Sequence, residues 1–159
     1  AVYALIAELF GKQEPQLFTG LKPPYGRGEA IKVGGSKLTL QLVKNPNGFR
    51  TAMNVEPSKP ALIVINDLIA DGRDVSWLWD VDVSSLGERQ SVSVAGTRAY
   101  DMAVRLHYDD TECSFIKTDL EDALKEFIST HKEGVIFLTY TAMLQSRKIL
   151  KAMSVEQRL

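Results

Sequence analysis

From Ala61 onward, short apolar runs alternate with segments of helical periodicity, and few folds accommodate that order. Ala61–Ile65, Ser91–Ala95, Ser114–Ile116 and Gly134–Leu138 read as strands. A short helix near Ser76–Trp79 and longer ones over Ala99–His107, Asp119–Thr130 and Thr141–Met153 fall between or after them. In Asp119–Thr130 the residues Leu120, Leu124, Phe127 and Ile128 share one face, with Asp119 placed as N-cap and acids in the first turn. Strands that are apolar along their length have both faces covered. The expected fold is therefore α/β and Rossmann-like: a mostly parallel sheet, helices on both faces and right-handed crossovers. The pattern shows no internal repeat.

The first third reads differently. Ala1–Phe10 has helical spacing and stops at Gly11. A polar stretch with Pro15, Gly20, Pro23, Pro24, Gly26 and Gly28 reads as a linker with turns. Glu29–Val33 and Lys37–Val43 flank Gly34-Gly35 as a β-hairpin. Lys44-Asn45-Pro46-Asn47-Gly48 reads as a turn before a helix over Phe49–Val55. The chain opens without Met, so the first helix is taken as the end of an upstream element.

Composition excludes several classes. The 159 residues carry a net charge of −1, with no basic cluster, which gives no support for nucleic-acid binding. The single cysteine, Cys113, rules out an internal disulfide and a four-cysteine zinc site, and it fits a reducing, cytoplasmic setting. No apolar run is long enough to serve as a transmembrane segment.

The exits of the predicted strands are polar. They are Lys44-Asn45-Pro46, the run Asn66 to Asp80, Gly96-Thr97-Arg98 and Thr139-Tyr140-Thr141. In an open parallel sheet these lie together at the carboxyl edge, where ligands bind. Any one exit is explained by the ordinary preference of turns for Asn, Asp, Gly, Pro and Thr; the four together point to a site. The second is the densest, with four acids, Arg73, Gly72 and two tryptophans.

Asp74 has two readings, a cap for the helix at Ser76 (a role Ser76 could also take) or the acid of a nucleophile–base–acid triad. The residues alone favour the cap. Asp67 and Asp71 could ligate magnesium beside a phosphate, although loop acids are more often solvated. Arg73 could pair with a phosphate, a carboxylate or a neighbouring acid, the last being commoner. Trp77 and Trp79, two apart, cannot both enter one core, so one is expected inside and the other at a surface, where an exposed Trp beside charged residues hints at a protein interface. Gly96-Thr97-Arg98 offers N–H groups and a guanidinium to an anion, or is a tight turn with a surface arginine. The acidic surroundings of Cys113 argue against a thiolate paired with His107, and His131 reads as a dipole-favoured helix end. There is no P-loop, no GxGxxG and no metal-spaced His/Cys set; no complete active site is visible.

Taken together, Asn66-Asp67, Ala70-Asp71-Gly72-Arg73-Asp74, Ser76-Trp77 and Asp80, preceded by Lys44-Asn45-Pro46 and followed by Gly96-Thr97-Arg98-Ala99, resemble the C-terminal domain of the MurT subunit of lipid II isoglutaminyl synthase, a Mur-ligase relative. The resemblance runs from about Tyr25 to the end. It implies two parts: residues 1–24 as the end of the Mur central domain with a linker, and 25–159 as the C-terminal domain. It implies an ATP- and Mg2+-dependent ligase that amidates the α-carboxylate of D-glutamate in the lipid II stem peptide, with ammonia from a GatD-type glutaminase. The partner would bring a cysteine and a histidine, and this domain the acid, mapped onto Asp74 ahead of Asp71 and Asp67. By the same resemblance Arg27, in Gly26-Arg27-Gly28-Glu29, reaches ATP, Lys44 and Asn45 form a nucleotide-contacting turn, and Thr97 and Arg98 face the incoming substrate. Arg73, Trp77 and Trp79 become candidates for the partner interface. The P-loop and central domain of the family are absent, so this stretch alone is expected to be inactive and to bind neither ATP nor metal. A different class remains open, a non-catalytic protein-binding or scaffold α/β module.

Overall fold

The structure, a computed structural model, describes residues 2–11 and 25–156. Most of the expected linker, with Pro15, Gly20, Pro23 and Pro24, lies outside the described residues. The elements run α1 (Val2–Phe10), β1 (Arg27–Val33), β2 (Ser36–Leu42), α2 (Pro46–Met53) and β3 (Ala61–Val64). Two 3-10 helices follow, Ser76–Asp80 and Ser84–Glu88, then β4 (Val92–Ala95), α3 (Ala99–His107), β5 (Ile116–Lys117), α4 (Leu120–Thr130), β6 (Glu133–Leu138) and α5 (Tyr140–Glu156). The six strands form one sheet in the order β1-β2-β6-β3-β4-β5. All neighbours are parallel except β1 and β2, which form the hairpin. Gly34 and Gly35 have φ of 60° and 77°, the paired positive values that a two-residue turn of this hand requires.

Alternation along β3 divides the core in two. Ala61, Ile63 and Ile65 pack with Phe49 and Met53 of α2, Leu78 and Leu86 of the 3-10 helices, and Met102 and Leu106 of α3. Leu62 and Val64 point the other way, onto Ala123, Leu124 and Phe127 of α4 and Ala142, Met143 and Leu150 of α5. Adjacent strands β3 and β6 thus send their chains to opposite faces. The crevice at their carboxyl ends is the topological switch point of the sheet.

The helix after β2 starts earlier than its apolar spacing suggests. Asn45 is the N-cap, its side chain accepting the Gly48 N–H at 2.8 Å, and Pro46 opens α2. Lys44 to Gly48 is therefore a helix start rather than a free turn, since proline suits the first helical position. β5 lies two residues beyond the predicted Ser114 start, because only Ile116 and Lys117 pair with β4. The second 3-10 helix has too little apolar periodicity to be read in advance.

His131 ends α4 as expected, but its ring does not act as a dipole-favoured cation. The ring lies 5.0 Å from that of Phe127, and Nε2 is 3.0 Å from Ser91 Oγ. Burial pushes its pKa below the ordinary 6.5. A depressed pKa contributes stability that is complete above 6.5 and is lost as the pH falls through the folded value, where the unfolded chain binds more protons. The urea midpoint is expected to drop between pH 7.5 and 5.5, and His131→Gln is expected to flatten that part of the decline.

Candidate functional site

Asn66 organises the carboxyl edge. It follows β3, is 3 % exposed, and ties three strand exits together. Its N–H donates to Thr139 Oγ1 at 3.0 Å, and its side-chain amide donates to Thr141 Oγ1 at 3.1 Å and Gln145 Oε1 at 3.2 Å. Its Oδ1 accepts the Thr97 N–H at 3.1 Å. A buried amide with its donors and acceptor matched fixes its neighbours, because leaving any of them unmatched is costly. Asn66 belongs to the motif but has no role legible from sequence; its one signal is a lone Asn directly after an all-apolar strand.

Gly96 makes the contact possible. Its φ is 98°, and a Cβ there would stand 2.5 Å from Ile65 O and 2.7 Å from Asn66 Oδ1. Gly96→Ala combines a disfavoured backbone conformation with overpacking against the β3 exit, and it should destabilise the chain by roughly 2–4 kcal/mol. Equilibrium urea unfolding measures this, and a loss below 1 kcal/mol would show that the exit can relax.

The aspartates of the β3 exit separate by environment. Asp67 accepts from the Thr97 hydroxyl at 2.9 Å and lies 3.8 Å from Arg98. Asp71 takes the Thr141 N–H at 2.7 Å on one oxygen, and the Thr141 hydroxyl at 2.5 Å and Leu68 N–H at 3.2 Å on the other. Among the described residues no group of His, Cys, Asp or Glu is arranged to hold a metal ion. Asp74 differs from both. Its carboxylate is exposed and accepts the Ser76 N–H at 2.8 Å. The Ser76 hydroxyl, and then this N–H, hold its pKa below the ordinary carboxylate value. The residue at the formal helix boundary is Val75, which makes no side-chain cap, so Asp74 steadies the helix start from one residue further out.

The Asp74 turn is duplicated. Asp74-Val75-Ser76-Trp77-Leu78 and Asp82-Val83-Ser84-Ser85-Leu86 share the pattern D-V-S-x-L. In the second copy Asp82 accepts the Ser84 N–H at 3.1 Å and its hydroxyl at 2.7 Å. Val75 and Val83 have φ of −107°, with ψ of 8° and 7°. Leu78 and Leu86 are buried. Five residues are too few to register as a structural repeat, and the geometry is what gives the shared pattern meaning.

Arg105 of α3 anchors the first of these helices. It is 7 % exposed, donating from Nε to Leu78 O at 3.2 Å and from Nη2 to Val81 O at 2.6 Å, with Asp109 at 3.0 Å. Trp77 packs at 6.4 Å edge-to-face on Phe49 and joins the core margin. Trp79 is 53 % exposed, covers the Arg105 guanidinium and meets Tyr108 edge-to-face at 5.4 Å. The two tryptophans divide inward and outward as their spacing predicts. Arg73 is exposed beside Asp74.

The other candidates fall into two places. Arg27, Lys44 and Asn45 line one cleft of about 790 Å3 with Gln41, Asn47 and Thr51. A β-bulge between Arg27 and Glu29 shapes its rim. Arg147 of α5 ties that rim down, bonding Glu29 at 3.1 Å and lying 4.0 Å over the Tyr25 ring. Thr97 and Arg98 stand across the edge, beside Asp67. Their N–H groups donate to Asn66 Oδ1 and to Ile65 O, so the anticipated anion cradle is engaged internally. Arg98 keeps a buried Nε without a partner, while its Nη2 pairs with Asp101 at 2.9 Å. Cys113 is half-buried and its thiol pKa is pushed up by burial, rather than by the acids near it.

Residues 42–143 match the family described as MurT ligase C-terminal. The subunit MurT of the glutamine-hydrolysing lipid II isoglutaminyl synthase of Streptococcus pneumoniae is 30% identical over 90% of this chain, and that of Staphylococcus aureus is 33% identical over 90%. The chain spans about a third of the length of these curated relatives (34% and 35%). MurF ligase from Thermotoga maritima, solved with ADP, superposes over 98% of this chain and 37% of its own, with a TM-score of 0.61 at 14% identity. Folylpolyglutamate synthase from the same organism superposes over 81% of this chain and 31% of its own, with a TM-score of 0.53 at 18% identity. These likenesses support the Rossmann-like α/β fold. Motif, fold and sequence agree: the chain belongs to the MurT ligase C-terminal family.

Proposed function

We propose that this domain belongs to the ligase subunit of an ATP-dependent lipid II isoglutaminyl synthase, and that it docks a GatD-type glutaminase and lends it Asp74. The observation that supports this most is the contrast among the loop acids. Asp67 and Asp71 are tied into the fold, whereas Asp74 is exposed, its pKa held low by Ser76, and stands just ahead of a helix that Arg105 staples in place. In the shared site the partner's cysteine attacks the glutamine carboxamide after its proton passes to the partner's histidine. The Asp74 carboxylate accepts the other imidazole N–H, fixing the tautomer and stabilising the imidazolium.

The ammonia released serves the ligase reaction at the α-carboxylate of D-glutamate in the lipid II stem peptide, at the membrane face of the cytoplasm. ATP, with Mg2+, supplies the activation by converting that carboxylate to an acyl phosphate. The cleft of Arg27, Lys44 and Asn45 fits one edge of such a nucleotide, having two cations and amide groups beside the start of α2. Thr97 and Arg98 would face the stem peptide, the Arg98 side chain being partly exposed at that edge. The P-loop chemistry and the metal are assigned to the upstream part of the ligase, so residues 1–24 would close the central domain and 25–159 act as its C-terminal domain. Arg73 and Trp79 stand on the surface that a partner reaching Asp74 would cover, with Trp77 supporting them from beneath.

The second reading, a non-catalytic binding module, is favoured by the exposed Trp79–Tyr108 pair, which could serve attachment alone. Glutamine hydrolysis by the full-length ligase subunit with its glutaminase, carrying Asp74→Asn or Asp82→Asn, separates the two. Loss of hydrolysis in the first variant only is the expected outcome.

A further inference from the structure

The β3 exit loop is pinned at three places, and Asp74 lies between two of them. Asn66 holds its base. Asp71 holds its middle, through Thr141 and Leu68. Trp77 and Leu78 hold its end, against Phe49 and in the core. Asp74 stands three residues after Asp71 and three before Trp77. Gly72 and Arg73, the residues between the middle pin and Asp74, are both exposed.

We infer that Asp71 is a positioning residue for Asp74, clamping the loop to the start of α5 so that the exposed carboxylate is presented at one place. The inference rests on the reading of Asp74 as the lent acid. Thr141, the donor, lies 70 residues away in sequence, on the far side of the switch point. A carboxylate at the start of a 17-residue helix is further favoured by the helix dipole. Asp71 has three of its roughly four acceptor positions engaged, which suits a clamp and leaves little for an imidazole. Asp71 N–H to Leu68 O at 2.8 Å and Gly72 N–H to Ile69 O at 3.3 Å close two further turns over the same span. The clamp therefore fixes a folded loop rather than a single bond. A triad acid displaced by about 1 Å loses roughly two orders of magnitude in rate, so the clamp sets activity without touching substrate.

The test uses the full-length ligase subunit with its glutaminase and measures kcat for glutamine hydrolysis and the Kd of the complex. Asp71→Ala should lower kcat about 10- to 100-fold while the Kd stays close to wild type. Thr141→Val keeps the N–H but removes the hydroxyl, and it should lower kcat less, from a different strand exit. Asp71→Asn keeps a carbonyl for the Thr141 N–H but turns its amide N–H toward the Leu68 N–H, so it should recover only part of the rate; Thr141→Ser, which keeps both donors, should recover most of it. If Asp71→Asn is as inactive as Asp74→Asn, Asp71 is itself an acid of the reaction and the clamp is overturned. Wild-type kcat in both Asp71→Ala and Thr141→Val, with Asp74→Asn inactive, also overturns it. Wild-type kcat in Asp74→Asn instead removes the reading on which the clamp depends.

Discussion

Asp74→Asn is expected to lower glutamine hydrolysis by the assembled enzyme by about four orders of magnitude, the scale seen when a protease triad loses its carboxylate. Size and shape barely change, so the cause would be the lost charge and the wrong tautomer of the partner's imidazole. The local turn supplies its own control. Asp82 accepts the Ser84 N–H as Asp74 accepts the Ser76 N–H, and takes the Ser84 hydroxyl at 2.7 Å as well; each carboxyl is held low by its serine, hydroxyl first and N–H second. Asp82→Asn therefore loses the same local support. Its hydrolysis rate should stay near wild type, and the two variants should unfold at similar temperatures. Equal loss of activity in both would reduce Asp74 to a turn residue. Retained activity in both would favour the binding-module reading.

The largest expected effect on stability comes from Arg89. The side chain is 7 % exposed and its guanidinium donates to four carbonyls: Glu56 at 3.1 Å, Lys59 at 3.0 Å, Met53 at 2.8 Å and Val55 at 3.4 Å. It also lies 5.2 Å over the Phe137 ring. These carbonyls close the end of α2 and the turn into β3, and among the described residues only Glu56 O of the four also accepts a backbone donor outside the regular elements, the Lys59 N–H at 3.1 Å. Burial lowers its pKa, but the group stays charged because an arginine starts far above neutrality. Arg89→Leu fills much of the space but strands one buried and several partly buried acceptors. The expected cost is about 3 kcal/mol or more, a fall in Tm on the order of 10 °C. Arg89→Lys should recover only part, since one ammonium cannot span the four acceptors. Thermal unfolding decides it; a shift under 2 °C for Arg89→Leu would mean that water reaches those carbonyls.

Arg89 also marks where sequence reasoning stops. A charged residue before a strand reads as surface, and nothing in its neighbours says that four carbonyls from another segment converge on it. Arg105 is hidden for the same reason. The strands and long helices were legible because their apolar spacing is unambiguous, as in β3 and α4, and the hairpin because Gly34-Gly35 permits little else. The start of α2 was misplaced because Asn45-Pro46 serves equally well in a turn or at a helix start, and tertiary packing chose the helix. The loop from Asn66 to Asp80 stands out as the candidate site by its composition. The separate roles of Asp67, Asp71 and Asp74 do not, because three aspartates within eight positions differ only in what lies across from them. Thr97 and Thr141, which make that difference, come from distant exits.

The switch point of an open α/β sheet is ordinarily a hollow, and here Asn66, Asp71 and the two threonines fill it. A compound directed at the point where the three exits meet has almost no cavity to occupy and would have to displace the Asn66 and Asp71 hydrogen bonds, whereas the neighbouring cleft of Arg27, Lys44 and Asn45 stays open.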